Sequence, residues 1–235
     1  DQDYLTIKYA SAGAVSWTKF YNGTTGDADY AVDVAVDAAG NVFVAGNSWN
    51  GTTNLDIATV RYNSGGAQAW SKRYNVTTTN YAQASAIIVD GSGNVFVLGS
   101  STIGTNASDF VTIKYLGASP GTPQWTNRFN GPANKSDTPT ALAVVGGTNV
   151  IVTGYSYNGT NYDYATIKYS GAGAAQWTNR YHGPAVGPYG SDNAYSVATD
   201  SSGNTFVTGF SIGVSGAQDF ATLKYATNGV ALWTN

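Results

Sequence analysis

The chain has 235 residues, of which 11% are charged, and a formal net charge of −3; globular domains usually carry about a quarter charged residues. All 14 acidic residues are Asp and there is no Cys, which excludes a disulfide framework, a thiolate metal site and a cysteine nucleophile. The acidic balance excludes a nucleic-acid partner, and no apolar run is long enough for a membrane span or a signal peptide, so no membrane insertion is expected.

The first recognisable element is the block Asp3-Tyr-Leu-Thr-Ile-Lys8-Tyr9. It returns at Asp109, Asp163 and Asp219, and at Asp56 with Ile57 in the aromatic slot, so the starts lie 53, 53, 54 and 56 residues apart. Trp17, Trp70, Trp125, Trp177 and Trp233 follow the blocks at nearly constant distance. A period near 50 residues is the mark of a solenoid, propeller or array. The absence of Glu and the abundance of Thr, Tyr, Val and Gly in short runs favour strands over helices.

The next stretch predicts a complete unit. Tyr30 to Asp37 alternates Val32, Val34 and Val36 with Asp33, Ala35 and Asp37, the period-two pattern of a strand. Asp37-Ala-Ala-Gly40-Asn41 supplies turn chemistry and recurs at Asp90 and Asp200. Val42 to Gly46 is the second strand, the Asp56 block the third, and Trp70 to Tyr74 the fourth, after a turn at Ser64-Gly65-Gly66. Four antiparallel strands in about 53 residues read as a propeller blade, because one such sheet cannot bury both faces without a neighbour. The expected fold is all-β, a β-propeller-like array of four-stranded antiparallel blades in one repeat domain: a half blade over 1–21, then blades over 22–74, 75–129, 130–181 and 182–235. Val32, Val34, Val36, Phe43, Ile57 and Trp70 are expected between blades, and the repeated tryptophans as packing groups.

The segment Val36-Asp37-Ala-Ala-Gly40-Asn41-Val42-Phe43-Val44-Ala45-Gly46, followed by Asp56 and Arg61, resembles the bacterial and archaeal SBBP-type beta-propeller repeats. Phe43, Phe96, Ile151 and Phe206 stand where that pattern favours Tyr, and the third copy, Val145-Gly-Gly-Thr-Asn149, lacks the Asp. The resemblance implies an extracellular or cell-surface propeller and brings no catalytic motif.

Candidate chemistry is sparse. His182, the single histidine, stands where Asn75 and Asn130 follow the aromatic residue of other copies and is expected on a surface turn. No catalytic residue, metal site or cofactor is expected, and the chain is not expected to be an enzyme. Each Asp-x-x-Gly-Asn turn offers one carboxylate, fewer than a calcium loop requires. The Asp and the basic residue of strand three fall on opposite faces, which leaves contacts between blades for them. Residues that break the repeat are the binding candidates: Trp49, Tyr155, Tyr157 and Tyr189 are loop aromatics suited to stacking on sugar rings or packing on a partner. Sequons at Asn22, Asn50, Asn75, Asn106, Asn134 and Asn158 are glycan acceptors in a glycosylating secretory route.

Strand counting gives five third strands but four first strands, near Tyr30, Gln83, Thr138 and Asn193. The expected function is an extracellular structural protein. It is either a self-assembling filament or surface-layer subunit completed by other copies of itself, or the propeller part of a longer chain. A glycan- or protein-binding adhesive module is the alternative.

Overall fold

A computed structural model of the chain describes residues 2–23, 27–51, 54–75, 81–102, 107–118, 121–185 and 187–235. Among them every regular element is a strand. β1 (Tyr4–Tyr9) and β2 (Val15–Tyr21) form a two-stranded sheet. Four complete sheets follow: β3 (Asp29–Val36) to β6 (Gln68–Tyr74), with β4 at Val42–Trp49 and β5 at Leu55–Tyr62; then β7 (Ala82–Val89), β8 (Val95–Thr102), β9 (Ser108–Tyr115) and β10 (Pro123–Phe129). The third holds β11 (Asp137–Val145), β12 (Asn149–Tyr157), β13 (Tyr162–Tyr169) and β14 (Ala175–Tyr181). The fourth holds β15 (Asn193–Thr199), β16 (Thr205–Ile212), β17 (Gln218–Tyr225) and β18 (Ala231–Thr234). Every pairing is antiparallel between sequence neighbours, which is the blade pattern.

The first strands pack side by side, β3 on β7, β7 on β11 and β11 on β15, and so surround the axis of the array. Each is bulged at the same place, between Ala31 and Asp33, Ala84 and Ala86, Pro139 and Ala141, and Ala194 and Ser196. The extra residue bends the strand and raises its local twist. The hairpin turn is closed by its aspartate: Asp37 Oδ1 accepts from the amides of Ala39 at 2.9 Å and Asn41 at 2.8 Å, and Oδ2 from Asn41 Nδ2 at 2.7 Å. With its oxygens committed to the turn, this carboxylate forms structure and has little left for a cation.

The core lies between blades. Phe43, Ile57 and Trp70 of one blade join Ile87, Val97 and Ile113 of the next in a single buried cluster. Each tryptophan repeats one arrangement. Trp70 lies 5.7 Å from Tyr115 of the next blade, and Trp17, Trp125 and Trp177 lie 5.8 to 5.9 Å from Tyr62, Tyr169 and Tyr225. The indole N–H groups of Trp17, Trp70, Trp125 and Trp177 donate to the carbonyls of Ser64, Gly117, Gly171 and Thr227, in the following blade's last turn. Lys8, Lys114 and Lys168 donate to the same carbonyls as their neighbouring tryptophans, so the basic residue of strand three is an interblade clamp. Gly66 shows why that turn needs glycine: its φ is +87°, and a Cβ there would meet Trp17 Cγ at 2.8 Å.

Three expected core residues are misplaced. Val32, Val34 and Val36 are exposed by 44%, 55% and 59%, because β1 and β2 pack on the part of this blade's face formed by β4 and β5 and leave the β3 part open. At the other end of the array Phe220 is 93% exposed, whereas Phe110 and Tyr164, in the same slot of interior blades, are 1% and 0% exposed. Apolar positions of the repeat are buried by the neighbouring blade, not by their own sheet.

Candidate functional site

One rim of the array collects the starts of strands one and three and the ends of strands two and four. A repeated polar clamp is built there. Arg73 donates from Nε to Asp56 at 2.9 Å, and from its Nη atoms to Ser48 Oγ at 2.7 Å and to the carbonyls of Ser48 and Trp49. Arg128 repeats this with Asp109 and Ser101, and Arg180 with Asp163 and Ser156. The strand-three aspartate therefore pairs with the arginine of strand four, not with the basic residue of its own strand. A second aspartate, at the start of strand one, accepts from the amide of the preceding loop: Asp29 from Gly23 at 2.6 Å, Asp137 from Gly131 at 2.6 Å and Asp192 from Gly183 at 2.7 Å. Burial pushes the Asp137 carboxyl above the usual carboxylate range; Ser156 and the Gly131 amide oppose the shift, and the charge of Asp109 adds to it. Recurrence with the same partners makes this clamp a fastening of blade ends.

The clamp is not uniform: Phe20 stands in the arginine slot of the first copy, and Ala82, paired with Ser101, in the slot of Asp29 and Asp137; at the third boundary between complete blades the departure is an imidazole. His182 occupies the slot held by Asn22, Asn75 and Asn130 elsewhere. Its Nδ1 lies 3.0 Å from Asp163 Oδ1 and 3.7 Å from Asp192 Oδ2. The imidazole is 43% exposed while the two carboxylates are 8% and 0% exposed. His182 lies exposed in the loop after β14, as expected from its Pro- and Gly-rich surroundings, and its ring is in addition held by Asp163. Asp163 orients the ring through Nδ1, and Nε2 is left as the atom a ligand could meet. An imidazole so held, half in water and backed by buried carboxylates, has the arrangement of a general acid or base.

The same three side chains offer ligand atoms within 4.8 Å of one another, so a metal ion has to be considered. Their lone pairs are already engaged. Asp163 Oδ1 accepts from Asn158 Nδ2 at 2.9 Å and Oδ2 from Arg180 at 2.9 Å. Asp192 Oδ1 accepts from the Ser211 hydroxyl at 2.5 Å and the Ile212 amide at 3.3 Å. A guanidinium in direct contact further opposes a cation, so the donor set fits a hydrogen-bonded proton-transfer group better than a metal cage.

Beside this cluster the segment that follows His182 forms a cleft with the hairpin between β16 and β17. The cleft has a volume of about 320 Å³ and is walled by Pro184, Tyr189, Ile212 and Val214 among others. Asn161 holds its outer wall by donating to the carbonyls of Gly187 at 2.9 Å and Gly190 at 3.0 Å. Tyr189 projects from that wall with 88% of its surface exposed. Tyr155 and Tyr157 are half-buried in β12, each 5.3 Å from Tyr162 in an edge-on arrangement, on the hairpin that carries Asn158 and Asn161. Three of the four aromatic candidates thus gather around one blade boundary. Trp49 does not join them: it closes β4 two blades away, half-buried, with its carbonyl held by Arg73.

The sequons divide in the same way. Asn75 is exposed, whereas Asn158 spends its side-chain amide on Asp163 and Asn161, and Asn50 donates to Asp56 at 3.3 Å. Asn134, with φ of 49°, accepts from Asn130. A glycan on Asn158 would break the network that orients His182. Asn106 lies outside the described residues.

No family model matches the chain, and no curated protein matches it. Solved structures do. An ulvan lyase of polysaccharide lyase family PL25 aligns with a TM-score of 0.58 at 12% identity, over 99% of this chain and 60% of that one. The same enzyme bound to -[GlcA(1-4)Rha3S]- aligns at 0.56 and 13%, again over 99% and 60%. A gluconolactonase from Xanthomonas campestris aligns at 0.48 and 12%, over 96% and 66%. The chain thus spans from three fifths to two thirds of the length of these structures. At such identity the likeness establishes the fold: an all-β propeller array. It also overturns two expectations that rested on the repeat itself, a structural filament or surface-layer building unit and a chain that is not an enzyme. The fold neighbours include a polysaccharide lyase, so this architecture houses catalytic and ligand-binding sites, and a blade repeat is no sign of a purely structural role.

Proposed function

We propose that the chain is a saccharide-active propeller whose site lies on the rim at the third blade boundary. The carrying observation is His182, an imidazole in a slot that holds Asn in the other copies, placed between Asp163 and Asp192 beside a cleft walled by Tyr189. Sugars are bound by stacking apolar ring faces on aromatic side chains while polar groups satisfy the hydroxyls. Tyr189 supplies the exposed ring and His182 the polar group, while Asn158, Asn161 and Asp163 are spent on holding the ring and the loop in place. In this reading His182 exchanges a proton with the ligand through Nε2, and Asp163 steadies the ring charge from the Nδ1 side. A polysaccharide substrate is supported by the fold shared with the ulvan lyase.

The test uses His182→Asn, which installs the residue of the other copies and so preserves the fold. Neutral and uronate-containing polysaccharides, the -[GlcA(1-4)Rha3S]- repeat included, are assayed for retention and for chain cleavage. The wild-type protein is expected to cleave one of them, and the variant to cleave it about 10²-fold more slowly with binding unchanged, since a general acid or base contributes at least that much. Wild-type protein that neither retains nor cleaves any of the panel, or a variant as active as wild type, would refute the assignment.

A further inference from the structure

We propose that the open groove between β1 and β3 is the docking site of a β-hairpin that carries the strand-one and strand-two pattern of this same repeat, presented by polypeptide outside residues 1–235. The groove has a volume of about 480 Å³ and is lined chiefly by Leu5, Ile7, Tyr9, Val32, Val34 and Val36.

The other blades show what belongs there. Val34 is 55% exposed, whereas Ile87, which follows the bulge at the same place in β7, is 5% exposed. What buries Ile87 is the β3–β4 hairpin of the preceding blade, which packs on β7. Likewise Ile7 is 38% exposed, against 0% for Val60 and Ile113 and 1% for Ile167 in the same slot. Strand three of each complete blade is hydrogen-bonded on both edges, as β5 is by β4 and β6, but among the described residues β1 pairs with β2 alone. An unpaired edge beside an uncovered aliphatic face is a template for strand addition.

Polar contacts define the occupant further. At the next boundary Asp33 Oδ2 accepts from the Ile87 amide at 2.9 Å, and Asn47 Oδ1 accepts from the Ala84 amide at 2.8 Å. The matching amide in β3, that of Val34, instead turns to its own neighbour, donating to Asp33 Oδ1 at 2.8 Å. The fitting partner therefore has two antiparallel strands, aliphatic side chains on the face toward β3, and acceptors at the positions of Asp33 and Asn47. A second copy of this chain does not offer such a hairpin, because its first and second strands are paired inside its own blades.

The experiment adds a peptide with the sequence of residues 29–49 to the full chain, and in a second format tethers that sequence by a flexible linker ahead of Asp1, because an isolated hairpin is only marginally stable. Amide hydrogen exchange across β1 is read by mass spectrometry and the oligomeric state by sedimentation. Exchange in residues 4–9 is expected to slow at least tenfold in the tethered form. Val34→Asp, at a site now open to solvent, is expected to leave the melting temperature of the bare chain unchanged and to remove that protection. Asp33→Ala in the peptide alone is expected to weaken its binding. Unchanged exchange in the tethered form, or protection that survives Val34→Asp, would overturn the proposal. So would β1 protection that rises with protein concentration without peptide, which would mean that a second copy covers the groove.

Discussion

Trp70→Ala and Trp233→Ala remove the same side chain from the same place in two copies of the repeat, yet they should differ sharply in cost. Trp70 is 7% exposed, packs on Phe43 at 6.2 Å and Tyr115 at 5.7 Å, and donates to the Gly117 carbonyl at 3.2 Å. Truncating a large aromatic in a closed core costs about 3–5 kcal/mol. The stranded Gly117 carbonyl and the loosened Tyr115 ring place this variant in the upper half of that range, about 4 kcal/mol. Trp233 is 41% exposed and packs on Phe206 at 6.0 Å, and among the described residues nothing supplies it with the tyrosine or the carbonyl. About 2–3 kcal/mol is expected there, because Trp233 buries about two thirds of the area that Trp70 buries, at about 25 cal/mol per Å². Urea unfolding followed by far-ultraviolet circular dichroism measures both, with equal m-values as the check that the same cooperative unit unfolds. Equal losses at the two sites, or a larger loss at Trp233, would show that the tryptophan stabilises its own sheet and not the blade interface.

Gly99→Ala should cost about 1–3 kcal/mol, because its Cβ would meet the Gln83 carbonyl oxygen at 2.2 Å and Ile57 Cδ1 at 2.7 Å; Gly91→Ala, with nothing within 4 Å, should stay within about 0.5 kcal/mol, and thermal melts of the pair decide it. Arg73→Ala leaves Asp56, 3% exposed, without its guanidinium, and a loss of about 3–5 kcal/mol in chemical denaturation is expected for breaking such a pair. Alkaline stability follows from the tyrosines: burial pushes Tyr115, Tyr169 and Tyr225 up to about 12 from the ordinary 10.0. Their folded state favours the neutral phenol, so this stabilisation is complete below pH 10 and is lost as pH rises through 12. Phenolate absorbance should therefore show a late step that coincides with unfolding; a single step near pH 10 with the sheets intact would contradict it.

The blade was legible because its signals are local. Alternation in residues 30–37 and the Asp37-to-Asn41 turn each depend on a few adjacent residues, the spacing of Trp17 to Trp233 repeats them along the chain, and the structure places strands and turns accordingly. Burial was less legible. Val34 and Ile87 carry the same pattern, and only the presence of a preceding blade decides that one is open and the other closed. The strand-three aspartates were expected in contacts between blades, but their arginine partners lie 17 to 19 residues on in the next strand of the same blade, where no periodicity within one strand reveals them. His182 was visible as a departure from Asn75 and Asn130, but Asp192 was not seen as its neighbour, because nine residues separate the two in the chain and no local pattern joins them.

An internal repeat supplies its own control for assigning roles. Where Asp, Arg and Ser recur with the same partners at successive boundaries, a shared mechanical task accounts for them, since identical ligand sites at each boundary would demand identical surrounding loops. Those loops differ: the segment after His182 carries Pro184, Tyr189 and the Asn161 tether, while the segment after Asn130 is closed by its own bond to Asn134. Exchange of Asn for His at the boundary with the elaborated loop places an imidazole beside that loop's cleft. The same substitution elsewhere would put a histidine at a boundary without that wall. Placing His at position 130, beside Asp109 and Asp137, therefore tests whether the ring alone suffices. Asn130→His in the His182→Asn background should restore a carboxylate-bound imidazole but not saccharide cleavage. Recovery of activity by that double variant would move the site from the third boundary to the repeated clamp itself.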